Sequence, residues 1–149
     1  MKRVYLAAKY SSNKQMREYR QTLIQYDIAV TSRWIDQHGG DQSESAGPSS
    51  LNIAPHMYVR FAAADVQDIM DADTLIFFSQ GDGRESKGGR HTKLGIAIGL
   101  GKSIVIIGPR ENVFHCIPTI THCYSWFEFE RWLAKERTED VWPYGQKEQ

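Results

Sequence analysis

Three short, almost unbroken apolar runs decide what this chain can fold into: Val4-Tyr5-Leu6-Ala7-Ala8, Thr74-Leu75-Ile76-Phe77-Phe78 and Ile104-Val105-Ile106-Ile107. They are too short for helices and do not alternate with polar residues. That pattern belongs to strands covered on both faces, as in a parallel sheet sandwiched by helices. The segments between them carry the other period. Ser11 and Ser12 are good N-caps, and Met16, Tyr19, Leu23 and Ile24 recur at helical spacing, so a helix is predicted over 13–25. Further helices are predicted over 54–72, 91–101 and 126–136. Strands are predicted over 4–8, 28–35, 73–78 and 103–108, with a short fifth strand within 118–123. Strands alternating with helices imply right-handed βαβ units. Five of them suit a doubly wound α/β sheet of order 2-1-3-4-5.

At 149 residues, with 41% hydrophobic and 24% charged, the chain reads as one domain. Eighteen basic and eighteen acidic residues cancel. No broad basic surface for polymeric nucleic acid and no basic membrane anchor is expected. The first apolar run is too short for a signal-peptide core, which points to the cytoplasm. Cys116 and Cys123 form no CxxC pair and read as reduced, buried thiols, with no metal site. Residues 37–55, with Gly39-Gly40 and Gly47-Pro48-Ser49-Ser50, form one long loop, either a lid or a disordered excursion. Residues 138–149 form a polar tail apart from Trp142-Pro143-Tyr144.

In such a sheet, ligands bind beyond the carboxyl ends of the strands, where strand order reverses between the first and third. That rule makes residues 7–12, with Ala7 and Ser11, and residues 79–90, with Ser79, the walls of a site. The second wall leads into Gly88-Gly89-Arg90-His91-Thr92-Lys93-Leu94-Gly95, a glycine-rich helix start. Backbone N–H groups and the positive helix end there favour an anion. The spacing matches neither GxGxxG nor the P-loop, which disfavours a classical NAD or ATP site. Arg90 and His91 are either exposed polar residues of a first turn or, with Gly88 and Gly89, a clamp for phosphate or carboxylate. Asp65 falls among Tyr58, Phe61, Ala62 and Ile69 on one helical face at 100° per residue. A carboxylate in an apolar stripe needs a partner or a cavity, and ligand binding is the reading favoured. Asp68 and Asp71 are expected toward the solvated flank. Tyr5 is either a satisfied core tyrosine or the orienter of a catalytic group. Trp34 either stacks on a base or packs under the loop.

Together these residues resemble the nucleoside 2-deoxyribosyltransferase superfamily, in particular its small phage and bacterial members. The resemblance spans residues 2–133 and rests on five motifs in order. They are Val4-Tyr5-Leu6-Ala7-Ala8-Lys9-Tyr10-Ser11, Ser32-Arg33-Trp34-Ile35-Asp36, Ala64-Asp65-Val66-Gln67-Asp68-Ile69 followed by Asp73, Gly88-Gly89-Arg90-His91, and Gly108-Pro109-Arg110-Glu111-Asn112-Val113-Phe114-His115. The resemblance implies a flavodoxin-like three-layer fold and a homodimer or higher homo-oligomer. It implies no metal or organic cofactor. It also implies cleavage or transfer at the N-glycosidic bond of a deoxynucleoside or its 5′-monophosphate. Tyr5 matches the tyrosine that steadies the nucleophile, and Asp65 the aspartate that contacts substrate. The loop from Ser79 to Arg90 matches the segment that binds the 5′ end of the sugar.

One position departs. The family's nucleophilic glutamate lies two residues before a glycine in this helix start, and counting back from Gly95 gives Lys93. An ammonium repels oxocarbenium-like charge at C1′, where a carboxylate stabilises it. Three accounts follow. Another acid substitutes, from Asp82, Glu85 or Asp65. Lys93 acts as a neutral amine that attacks C1′ and forms an imine. Or the chemistry is lost and the protein binds a nucleotide as a sensor or sponge. A fourth, bland reading points Lys93 to solvent.

Overall fold

The computed structural model describes residues 1–36, 55–79 and 88–139. The expected long loop and the loop acids Asp82 and Glu85 lie outside the described residues. Five strands, β1 (Arg3–Ala7), β2 (Ala29–Val30), β3 (Thr74–Phe78), β4 (Ser103–Ile107) and β5 (Thr121–Cys123), form one sheet of order β2-β1-β3-β4-β5. Every pairing is parallel. Among the described residues the α-helices are α1 (Asn13–Gln25), α2 (Pro55–Asp71), α3 (Gly89–Gly99) and α4 (Trp126–Glu139). This is the flavodoxin-like α/β arrangement expected from the alternation.

The apolar runs occupy the middle of the sheet because both faces are covered. Val4 to Ala7 of β1 and Leu75 to Phe77 of β3 are wholly buried. On one face Tyr19 of α1, Phe78 and Trp126 of α4 stack against one another as a three-ring cluster. On the other, α2 and α3 pack side by side, and Tyr5 and Phe77 point toward them. Strand alternation therefore sends Tyr5 and Phe77 to the α2–α3 face and Phe78 to the opposite one.

The second strand is much shorter than the expected 28–35. Only Ala29–Val30 pairs, and Arg33–Asp36 turns into a 3₁₀ segment. Side chains take over from the ladder there. Leu6 N–H donates to Ser32 Oγ at 2.6 Å, and the Trp34 indole N–H donates to the Leu6 carbonyl at 2.8 Å. Helix ends also moved. α3 begins at Gly89, two residues before the predicted start, with Gly88 as N-cap. It closes where Gly101 N–H bonds the Ile98 carbonyl and Lys102 N–H the Ala97 carbonyl, the paired bonds of a Schellman cap. α1 ends the same way, on Asp27 and Ile28 to Ile24 and Leu23. α4 runs through Glu139, past the predicted helix end at 136; the rest of the expected tail lies outside the described residues.

Candidate active site at the carboxyl ends of β1 and β3

Three elements deliver one cluster. Tyr5 rises from β1, Asp65 from α2 and Lys93 from the first turns of α3. The Tyr5 hydroxyl donates to Asp65 Oδ1 at 2.5 Å, and Lys93 Nζ lies 2.9 Å from Asp65 Oδ2. The Lys93 and Asp65 side chains are only 12% and 11% exposed. Lys93 Nζ also sits 5.7 Å from the Tyr5 ring centre and 5.5 Å from that of Trp34. A carboxylate and two aromatic faces thus surround the lysine head, a setting that attracts a cation. The reading of Lys93 as a solvent-facing lysine does not hold.

The rest of this end of the sheet is organised around Glu111, in the segment after β4. Arg90 Nη1 contacts Glu111 Oε1 at 2.8 Å and donates to the Phe78 carbonyl at 3.1 Å. His91 Nε2 lies 3.1 Å from Glu111 Oε2, and the Ser79 hydroxyl 2.8 Å from Oε1 and against the Pro109 carbonyl. Glu111 N–H donates to His115 Nδ1 at 3.2 Å. That bond assigns the remaining proton of neutral His115 to Nε2, a buried atom with no partner among the described residues. Burial, then the Arg90 charge, pushes the His91 pKa down against the pull of Glu111. Burial, then His91, does the same to His115. The Phe77 ring lies beneath both imidazoles and the guanidinium. Arg90, 6% exposed in its side chain, is a brace between α3 and the β4 segment. It is not a solvated first-turn residue.

The remaining expected residues divide. Trp34 is 2% exposed, and its ring stands as a wall beside Lys93. Ala7 is buried and Ser11 exposed. Ser79, Gly88, Gly89 and His91 are part-exposed at the ends of β3 and α3. Asp68 corrects the expectation of a solvated flank: it is 4% exposed and accepts from Arg33 Nε at 2.7 Å and Arg33 N–H at 2.9 Å. Asp71 is exposed, as expected. Cys123 is buried, but Cys116 is exposed, contrary to the reading of both as core thiols. Glu111 and His115 are the site-end residues to which no role was assigned from the sequence.

Among the described residues there is no group of three or more His, Cys, Asp or Glu placed to hold a metal ion. No described helix is long and apolar enough to cross a membrane.

No family model and no curated protein matches the sequence. A solved structure does match the fold. The CMP N-glycosidase of Clostridium botulinum, BcmB, is similar with a TM-score of 0.52 at 16% identity. The match covers 92% of this chain and 99% of that one. At that identity the likeness is one of fold.

Proposed function

We propose that the protein binds a nucleoside or its 5′-monophosphate over the carboxyl ends of β1 and β3 and acts on its N-glycosidic bond, passing the sugar to water or to another base. The observation that carries this reading is the enclosed Tyr5–Asp65–Lys93 cluster. Buried charge is costly, and a fold whose core is already filled gains little from an ion pair there. Such a pair at the switch point of a parallel sheet is better accounted for by work on a ligand. The fold shared with a CMP N-glycosidase supports the same direction. In this reading the Asp65 carboxylate faces the positive charge that develops on C1′ and O4′ as the base departs. Tyr5 fixes that carboxylate through Oδ1. The N-terminus of α3, at Gly88 and Gly89, favours the 5′-phosphate. No organic cofactor or metal has a part. A homo-oligomer working in the cytoplasm belongs to the same proposal.

A second reading has its own support. Both Asp65 oxygens already hold partners, which suits a protein that retains a nucleotide without turning it over. Incubating the protein with deoxynucleosides, their 5′-monophosphates and CMP, and following free base by chromatography, tests the first reading. Base release that depends on Asp65 is expected. Tight calorimetric binding with no release from any of them would leave the retention reading in its place.

A further inference from the structure

We infer that Lys93 is the nucleophile of this site and carries the sugar as an imine; the inference rests on the glycosidic reading above. The starting point is an electrostatic conflict. A fixed ammonium 2.9 Å from the carboxylate meant to stabilise C1′ would cancel much of that stabilisation. The conflict disappears if the proton leaves Lys93 before C1′ becomes electrophilic. The structure supplies an acceptor for it. Asp65 Oδ2 is within hydrogen-bond distance of Nζ, while Tyr5 holds Oδ1. Tyr5 and Trp34 present ring faces to the lysine head. The Trp34 N–H is spent on Leu6. The ion pair and the ring faces favour the ammonium at rest, so the amine forms only as its proton passes to Asp65 Oδ2, the adjacent base.

The steps balance with substrate and water alone. Lys93 Nζ passes a proton to Asp65 Oδ2. The free amine bonds C1′ as the bond from C1′ to the base breaks, and Asp65 returns the proton to the departing base. The new C1′–Nζ bond carries a secondary ammonium. Its proton moves through Asp65 to O4′ as the C1′–O4′ bond opens, leaving a protonated imine. Water then adds to C1′, the C1′–Nζ bond breaks, and the open-chain sugar phosphate departs from a regenerated ammonium. Tyr5 keeps Asp65 in place throughout and forms no bond to the sugar.

The test uses the full chain, the 5′-monophosphates of the four deoxynucleosides and CMP, and sodium cyanoborohydride. The wild type is expected to gain the mass of one reduced sugar phosphate per chain, only with a nucleotide whose base it releases. Peptide mapping is expected to place the adduct on Lys93. Lys93→Arg keeps the charge and the Asp65 partner but cannot lose its proton. It is expected to give neither adduct nor base release. Base release by the wild type without an adduct, or with the adduct on another lysine, overturns the imine and leaves the glycosidic reading standing. Undiminished release by Lys93→Arg does the same. No release from any nucleotide removes both. The wild-type adduct decides the question even if the arginine variant misfolds.

Discussion

At the scale of single residues, Asp65 is the centre of the site because it receives both Tyr5 and Lys93. Replacing it by Asn keeps the shape and removes the charge. Base release is expected to fall by about 10²- to 10⁴-fold, measured as kcat on the best nucleotide. Tyr5→Phe removes one hydrogen bond to a charged group, worth about 1.5–3 kcal/mol. If that loss falls wholly on the transition state, kcat drops by about ten- to a hundredfold with the fold intact. The partnered burial of Asp65 was legible in the sequence because a carboxylate inside an apolar stripe needs a hydrogen-bond partner or a cavity. Asp68, three residues on, was not. Its partner Arg33 comes from the segment after β2, and the periodicity of one helix says nothing about what docks on its flank. Glu111 and His115 are harder still. Glu111 precedes a short 3₁₀ segment that holds His115, and what marks them is convergence with Arg90 and His91 of α3 across sequence separations that no local pattern encodes.

Elements set the site through their ends. The expectation of strand over 28–35 failed because Ser32 and Trp34 satisfy the Leu6 backbone with side-chain atoms, which turns the chain away from the sheet. A run of β-branched residues cannot foretell that exchange. The turn after β4 is fixed by a contact as close. Gly108 has φ 103°, and a Cβ there would meet the Ser79 carbonyl oxygen at 2.9 Å. The same glycine's carbonyl lies 2.7 Å from His122 Nε2, so the turn cannot shift freely. Gly108→Ala is expected to cost about 1–3 kcal/mol in chemical denaturation. Because Ser79 also touches Glu111, the variant should disturb the Arg90 brace as well. A denaturation midpoint equal to the wild type's would contradict the tight packing of this turn.

Over the whole molecule, order and direction of the strands were readable from the alternation of apolar runs and helical stretches, since only a few topologies bury such runs on both faces. Stability over the whole molecule should carry the signature of the buried imidazoles. His91 and His115 both hold pKa values below the ordinary 6.5 in the folded chain. The unfolded chain binds protons first as pH falls below that value. Their contribution is therefore complete above 6.5 and is lost as pH falls from there through the folded values. Urea midpoints are expected to decline from neutral pH toward pH of about 5, and the double variant His91→Gln, His115→Gln should flatten that decline. Asp73 acts lower down. Burial raises its pKa, but hydrogen bonds from Thr74 and from the backbone of Lys2 and Arg3 outweigh it and leave the value below 3.8. Its contribution is present above 3.8 and disappears only in stronger acid.

The most direct measurement is a crystal structure of the protein soaked with a nucleoside 5′-monophosphate, reading where the anomeric carbon lies. The account predicts C1′ over the ends of β1 and β3, within about 3–4 Å of Lys93 Nζ or an Asp65 oxygen. A nucleotide seated elsewhere, with the Tyr5–Asp65–Lys93 cluster still closed on itself, would contradict it.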